Sequence, residues 1–295
     1  MVKQTSLRRV SLYGMLISIV SALIIGSSLL AINAFKQLET EDGNASSPTL
    51  IINDASASNS QAVKFAASIP TGELTAQDLT DVKSKKILFG HQSVGQNMID
   101  NIPALYSSSG VSPPTILSNL TQINSAPGGF FAEFYVGANG DPFGKIDDFD
   151  STVRQYSSKI NTALFKFCFI DIVNGVNAQA LFNSYKSTMG QLEGDFPNIT
   201  FIYTTAALDE YSASNALVRE QYNSLVRQEY ASSGRLFDLA KVESTRPDGS
   251  RVVGSSNGNT YYQLYENYSS DGAHLNTTGA LKVNTSLFKL LSSVN

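Results

Sequence analysis

The sequence is poor in the residues that build disulfides and metal sites. Its 295 residues include one cysteine and two histidines. A single cysteine, Cys168, excludes an intramolecular disulfide and a cysteine-based zinc site. Two histidines argue against a histidine-rich metal site, whereas a carboxylate site stays open.

Positive charge is also scarce. The chain has 21 Lys and Arg against 25 Asp and Glu, a formal net charge of −4, and no long basic run follows the first ten residues. Binding of nucleic acid needs a basic surface, so we expect no nucleic acid among the partners. The length suits one large domain or two small ones.

The longest uncharged run lies at the N-terminus. Residues 1–9 carry Lys3, Arg8 and Arg9, and residues 10–35 hold no charged side chain. About 20 apolar residues suffice to cross a bilayer. The basic flank predicts that the N-terminus stays in the cytoplasm and that the remainder is exported. We therefore predict a single-pass membrane anchor. A cleavable signal peptide is the alternative and would make the remainder a secreted protein; a buried core helix is a third interpretation.

A polar tract separates this run from the rest of the chain. Residues 36–80 are dominated by serine, alanine, asparagine and acidic residues. This composition is typical of a flexible stalk. We interpret residues 81–295 as one folded domain.

Short apolar runs alternate with helical stripes along this domain. Strands are predicted by KKILFG, PTILSNL, TALFKFCFIDI, NITFIYTTAAL and RLFDLA, and a terminal helix is predicted from Thr277 to Val294. The glycine-rich and aromatic segment 123–145 is predicted to be a long loop. Apolar strands without alternation are typical of a parallel sheet covered on both faces, so we predict an α/β fold with a central parallel sheet. The C-terminal ends of such strands share one edge, where sites form.

Ser93 lies where this architecture places reactive side chains. In ILFGHQSVGQN, residues 87–97, it follows the first predicted strand and opens a helix. A serine needs a base before it becomes a nucleophile, and the chain offers only His91 and His274. His91 is too close in sequence to be an easy partner. His274 follows Asp271 by three residues in the loop before the last helix, where the carboxylate is placed to orient the imidazole.

These motifs resemble those of a known family. ILFGHQSVG and DGAHLNTTG, with a helix that carries Asn215, Arg219 and Asn223, are similar to segments of the SGNH (GDSL-type) hydrolases. The usual G-D-S-L is here G-H-Q-S-V. The resemblance spans roughly residues 84–294. It implies a three-layer α/β/α sandwich around a parallel, flavodoxin-like sheet, and the hydrolysis of esters.

The resemblance also implies roles for individual residues. Ser93 would be the nucleophile, His274 the base and Asp271 the residue that orients it. The candidate oxyanion-hole donors are Ser93, Gly137, Asn139, Gly140 and Asn174. His91 and Asp171 are candidates for supporting roles. No metal ion and no organic cofactor is required by this chemistry.

Together these features predict a membrane-anchored serine esterase outside the cytoplasm. Its expected substrates are acylated carbohydrates or lipid esters, with acetyl as one acyl group. An acyltransferase on the same fold is an alternative, in which a sugar hydroxyl replaces water. A catalytically silent surface or glycan-binding domain is another, favoured by the departures from the family motifs.

Overall fold

The computed structural model describes residues 49–53, 61–65, 74–107 and 109–294. The first two ranges form β1 (Thr49–Asn53) and β2 (Gln61–Phe65), which pair as antiparallel strands. Within this described part of the chain, no helix combines the length and the apolar character that a membrane crossing needs.

The N-terminal predictions fall mostly outside those ranges. The basic segment (1–9) and the anchor (10–35) lie wholly outside the described residues, as does most of the stalk (36–80). These three assignments stay predictions.

A five-stranded parallel sheet forms the centre of the domain. Its strands are β3 (Lys86–His91), β4 (Thr115–Leu117), β5 (Phe130–Tyr135), β6 (Thr162–Phe165) and β7 (Thr200–Phe201). The spatial order is β4–β5–β3–β6–β7, so β3 is the middle strand. After Ile202 the chain continues as β8 (Tyr203–Thr204), which pairs in parallel with β9 (Leu236–Phe237).

Helices cover both faces of the sheet. One face carries α1 (Ala76–Ser84), α2 (Ser93–Asp100), α3 (Ile102–Tyr106), α7 (Leu239–Ser244) and α8 (Thr277–Ser293). The other face carries α4 (Pro142–Tyr156), α5 (Ala178–Asp195) and α6 (Ala213–Tyr230). An antiparallel hairpin, β10 (Val253–Ser256) and β11 (Asn259–Tyr262), precedes α8. The domain is an α/β sandwich with a central parallel sheet, as predicted.

Alternation along the middle strand creates the two apolar layers. Leu88 packs into the core beneath α4, α5 and α6, whereas Ile87 and Phe89 pack into the core on the opposite face. Successive strand residues point to opposite faces of a sheet, so a run of apolar residues serves both layers. Full burial of each such side chain stabilises the fold by about 1.5–3 kcal/mol.

Strand β5 lies within the segment predicted to be a loop, so that prediction is wrong for residues 130–135. The segment resembled a loop because it is rich in glycine and aromatic residues, but the aromatic side chains of Phe130 and Phe131 are buried in the strand. A Cβ at Gly129 would lie 2.2 Å from the carbonyl oxygen of Lys83, so this glycine permits a close backbone approach at the start of the strand. Glu133 is buried because its carboxylate pairs with His91 on β3 at 2.8 Å.

Helix α1 packs against the C-terminal helix of the domain. Thr75 caps α1 by accepting the N–H of Asp78. The Asp78 carboxylate accepts hydrogen bonds from Lys289 (2.7 Å) and Ser292 (2.8 Å) of α8. The boundary expected between residues 80 and 81 therefore falls inside a helix that belongs to the domain.

Candidate active site

Ser93 lies on the turn that joins the middle strand to a helix. β3 ends at His91, Gln92 is the N-cap residue, and Ser93 is the first residue of α2. The Gln92 side chain donates to the carbonyl oxygens of Val136 (3.0 Å) and Gly137 (2.7 Å), which ties this turn to the loop after β5. The first N–H groups of a helix have no acceptor within the helix, which makes the Ser93 N–H a candidate oxyanion donor.

The helix starts directly over the strand because residue 95 is glycine. A Cβ at Gly95 would lie 2.2 Å from the Cβ and 2.5 Å from the Cγ of His91. No side chain fits at such distances. Gly95 therefore lets the first turn of α2 rest on the imidazole of His91.

Asp271 and His274 form a hydrogen-bonded couple in the loop before α8. Asp271 Oδ1 accepts the backbone N–H groups of Ala273 (3.0 Å) and His274 (2.8 Å), and its Oδ2 lies 2.7 Å from His274 Nδ1. Gly272 between them has a φ of 83°, which glycine adopts without strain. Hydrogen bonds from the backbone and then the ring of His274 hold the pKa of Asp271 well below its usual range, so this carboxyl group is an ionised acceptor.

The imidazole of His274 joins this couple to the serine. Its Nε2 lies 3.0 Å from the Oγ of Ser93. Because the Asp271 carboxylate only accepts, Nδ1 carries the ring proton, and Nε2 accepts the proton of the Ser93 hydroxyl. The backbone N–H of Leu275 also donates to Oδ1 of Asn97, one helical turn after Ser93, at 3.1 Å. The structure thus brings the three predicted triad residues together.

The two glycines expected to donate to an oxyanion use their N–H groups elsewhere. Gly137 donates to Oδ2 of Asp148 at 2.7 Å, and Gly140 donates to Oδ1 of Asp171 at 2.9 Å. Hydrogen bonds to carboxylates are among the strong ones. An incoming oxyanion would have to compete with a full negative charge, so the geometry does not suit either glycine to that role.

Asn174, another expected donor, is held against α6. Its backbone N–H donates to Oδ1 of Asn215 at 2.9 Å. None of the contacts recorded among the described residues joins Asn174 to the Ser93 turn.

Asn139 is oriented by a buried ion pair. Lys145 Nζ donates to Asn139 Oδ1 at 2.9 Å and to Asp171 Oδ2 at 2.6 Å. The side chains of Lys145 and Asp171 are fully buried. Since an ammonium group only donates, the amide oxygen of Asn139 faces Lys145, and its NH₂ group is directed away from Lys145.

This ion pair links the loops on both sides of the nucleophile. Lys145 follows β5, Asp171 follows β6, and β3 lies between those two strands. The hydrogen bond from Gly140 to Asp171 therefore crosses the end of β3, where Ser93 lies. Asn139 consequently belongs to the loop that borders the nucleophile.

His91 has a different environment from His274. Its ring is fully buried, with Nε2 2.8 Å from Oε2 of Glu133 and Nδ1 2.9 Å from the carbonyl oxygen of Gln92. Both partners are hydrogen-bond acceptors, so neither ring nitrogen of His91 faces a hydroxyl group. The hydrogen bond from His91 lowers the pKa of Glu133 despite its burial. His91 thus lies beneath the nucleophile turn and supports it.

Four polar residues of this site were not predicted: Gln92, Asn97, Glu133 and Lys145. Of these four, only Asn97 could have been identified from the sequence, because it lies four residues after Ser93 and so on the same face of α2. The other three act through partners on different strands and loops. In the described ranges, no group of three or more His, Cys, Asp or Glu side chains is arranged to hold a metal ion.

Several solved structures are similar to this chain. A lipase/acylhydrolase from Enterococcus faecalis is 11% identical with a TM-score of 0.47; the match covers 70% of this chain and 95% of that one. A protein of the G-D-S-L family from Desulfitobacterium hafniense is 13% identical with a TM-score of 0.43, over 70% and 99% of the two chains. An acetylxylan esterase from Geobacillus stearothermophilus is 9% identical with a TM-score of 0.40, over 70% and 94%.

No protein-family model matches the sequence, and no curated protein matches it either. The G-D-S-L family named among the solved structures is the one that the sequence motifs resemble. Because these TM-scores lie below 0.5, the similarities carry no inference about function.

Proposed function

We propose that this chain is a serine hydrolase that cleaves carboxylic esters. The observation that carries the proposal is the hydrogen-bonded series of Ser93, His274 and Asp271, with distances of 3.0 Å and 2.7 Å. This series lies at the C-terminal edge of a parallel sheet, where α/β proteins form their sites. A serine hydroxyl, a neutral imidazole and an ionised carboxylate in that order activate a nucleophile.

In the acylation step, Ser93 Oγ attacks the carbonyl carbon of the ester while His274 Nε2 takes the hydroxyl proton. The negative charge moves to the carbonyl oxygen, which the Ser93 N–H and the amide of Asn139 stabilise. The tetrahedral intermediate then loses the alcohol, which leaves with the proton from Nε2. Asp271 stays ionised and stabilises the imidazolium formed on the way.

In the second step, water replaces the alcohol. His274 Nε2 takes a proton from the water, whose oxygen attacks the acyl group on Ser93. The second intermediate collapses by breaking the bond to Oγ, and the proton returns to Ser93. The carboxylic acid is released, and the enzyme regains its starting state.

Apolar side chains at this edge favour an ester with an apolar part. Tyr135, Ile170 and Tyr211 are 57%, 47% and 61% exposed. Tyr135 donates to Gln96 on the nucleophile helix, and Tyr211 donates to the backbone of Asp271. Such surfaces suit an acyl chain or the apolar face of a sugar ring. We therefore retain acylated carbohydrates and lipid esters as the proposed substrates.

The proposed location rests on the N-terminal residues alone. An uncharged run over residues 10–35 after a basic flank supports a single-pass membrane protein whose domain faces away from the cytoplasm. Protease treatment of intact cells tests this, because an exported domain is digested while a cytoplasmic one is protected.

Hydrolysis of p-nitrophenyl acetate by the purified full chain tests the catalytic proposal. We expect Ser93→Ala and His274→Ala to lose turnover while they keep the wild-type circular dichroism. Ser158→Ala, at an exposed serine in the turn after α4, should retain turnover. Wild-type turnover in Ser93→Ala would overturn the proposal. If a sugar acceptor raises nitrophenol release but lowers acetate release, the activity is acyl transfer.

A further inference from the structure

Two loops that hold none of the proposed triad residues make contact with them. Phe169, after β6, places its ring edge-to-face with the imidazole of His274, at a centroid distance of 5.7 Å. Tyr211, after β8, donates its hydroxyl to the carbonyl oxygen of Asp271 at 2.5 Å. The rings of Phe169 and Tyr211 also contact each other edge-to-face, at 6.2 Å. Together they form a wall beside the His274–Asp271 couple.

One buried guanidinium holds both of these loops. Arg219 on α6 is fully buried, and its Nη2 donates to the carbonyl oxygen of Phe169 at 3.0 Å and to Oδ2 of Asp209 at 2.9 Å. The other carboxylate oxygen of Asp209 accepts the backbone N–H of Tyr211 at 3.3 Å. Arg219 and Asp209 therefore connect the backbone at Phe169 with the backbone at Tyr211.

The couple needs external support because it is exposed. The side chains of His274 and Asp271 are 40% and 51% exposed, and they lie on a loop rather than on a strand or helix. A second contact fixes that loop, since the backbone N–H of Glu210 donates to the carbonyl oxygen of Gly272 at 2.9 Å. Loop-borne catalytic groups keep their geometry only when packing and hydrogen bonds around them fix it.

Stability alone does not explain the ion pair of Arg219 and Asp209. Their side chains are 0% and 4% exposed, and the loss of water around two buried charges offsets most of their attraction. Nε and Nη1 of Arg219 have no hydrogen-bond partner among the described residues, which adds to the cost of burial. The pair is better explained by its contacts with the two loops, which it holds in position.

We propose that Arg219, with Asp209, is a positioning residue that keeps His274 within hydrogen-bond reach of Ser93. It acts through Phe169 and Tyr211 and touches neither the substrate nor a reacting atom. The inference rests on the proposed hydrolase function. Loss of the guanidinium lets the His274 loop shift, which lowers kcat and leaves KM unchanged.

The first test compares Arg219→Met with Arg227→Met in the full chain. Arg227 lies two turns further along α6, is also nearly buried, and pairs with Glu220 and Asp238, both at 2.7 Å. None of these contacts reaches the His274 loop. We expect kcat for p-nitrophenyl acetate to fall by about 10- to 100-fold in Arg219→Met, since a displacement near 1 Å can have that effect. Arg227→Met, which also removes an ion-paired guanidinium from α6, keeps the wild-type kcat.

Two further variants keep the inference testable if Arg219→Met fails to fold. Arg219→Lys preserves the charge on a shorter side chain, which should weaken the bonds to Phe169 and Asp209, so it should retain an intermediate kcat. Tyr211→Phe removes an exposed hydroxyl and should lower kcat by less than Arg219→Met. The fall in kcat caused by Tyr211→Phe should be smaller still in a protein that already carries Arg219→Lys, because both changes loosen the same loop.

A spectroscopic signature separates positioning from general loss of stability. The proton on His274 Nδ1, bonded to Asp271, should give a far-downfield proton resonance that Asp271→Asn abolishes. We expect this resonance to be lost or broadened in Arg219→Lys and to persist in Arg227→Met. Wild-type kcat and an intact resonance in folded Arg219 variants would overturn the inference. The hydrolase proposal would stand in that case, provided that Ser93→Ala is still inactive.

Discussion

The two histidines differ in what their ring nitrogens face. His274 faces a carboxylate on one side and the hydroxyl of Ser93 on the other. His91 faces two acceptors, a carboxylate and a carbonyl oxygen, so it has no lone pair directed at a hydroxyl. Proximity to Ser93 in the sequence therefore does not make His91 the base. The distant histidine has the geometry for proton transfer.

At the same scale, the amide of Asn139 is expected to matter for kcat. Asn139→Ala removes an NH₂ group that Lys145 orients, and loss of one oxyanion donor lowers kcat by about 100-fold or more. KM for p-nitrophenyl acetate should stay unchanged. Asn174→Ala is the matched control, since none of its recorded contacts reaches the Ser93 turn, and it should retain the wild-type kcat. Equal rates for the two variants would remove Asn139 from the mechanism.

Glu243 is expected to make stability depend on pH. Burial raises its pKa to about 8 from 4.5, although the N–H of Leu208 and the charge of Lys166 act in the opposite direction. The folded state holds this proton more tightly than the unfolded state. The stabilisation is therefore complete below pH 4.5 and is lost as the pH rises to about 8.

Thermal denaturation at pH 5 and pH 8 measures this effect. Glu243→Gln keeps an acceptor for the Leu208 N–H and cannot ionise, so its melting temperature should fall less between the two pH values than that of the wild type. Glu266→Gln, at an exposed glutamate, should behave as the wild type. An equal fall in the melting temperatures of all three proteins would contradict a raised pKa for Glu243.

At the scale of elements, the junction of β3 and α2 sets the position of the nucleophile. Gly95→Ala places a methyl group 2.2 Å from Cβ of His91, and such overpacking destabilises a core by about 1–3 kcal/mol. The shift of α2 should lower kcat as well. Gly190→Ala is the matched control in helix α5, where a Cβ meets no atom within 4 Å.

Urea unfolding compares the two glycine variants. Gly190→Ala should raise the free energy of unfolding by about 0.4–1 kcal/mol, because alanine restricts the unfolded chain. Gly95→Ala should lower it. A Gly95→Ala protein with wild-type stability and kcat would show that the turn tolerates a side chain.

Elements were predictable where hydrophobicity alone decides them. KKILFG predicted β3, and the stripe at the C-terminus predicted α8, because both are apolar on the faces that they bury. Strand β5 was missed because glycine and aromatic residues around it are typical of a loop. The sequence near Glu133 also does not show that His91, on another strand, pairs with its carboxylate. The strand predicted from TALFKFCFIDI stops at Phe165 in the structure. Beyond it, the chain bends to place Phe169 and Asp171 at the sheet edge.

At the scale of the whole molecule, parallel topology explains how distant residues meet. Ser93 and His274 are 181 residues apart, yet both lie at the edge where the strands end. That convergence follows from the order of strands and helices, so the sequence alone was enough to place the two residues together. The choice among the five candidate oxyanion donors was not predictable in the same way. The N–H groups of Gly137 and Gly140 donate to the carboxylates of Asp148 and Asp171, and only the folded chain shows that these carboxylates lie within reach.

The most direct test of this account is to trap the acyl-enzyme. The full chain is mixed with p-nitrophenyl acetate, quenched in acid within the burst phase, and mapped by peptide mass spectrometry. The account predicts one acetyl group on the peptide that contains Ser93, none on that peptide in Ser93→Ala, and far less in His274→Ala. Hydrolysis that proceeds without acetylation of Ser93, or with acetylation at another residue, would contradict the assignment of Ser93 as the nucleophile.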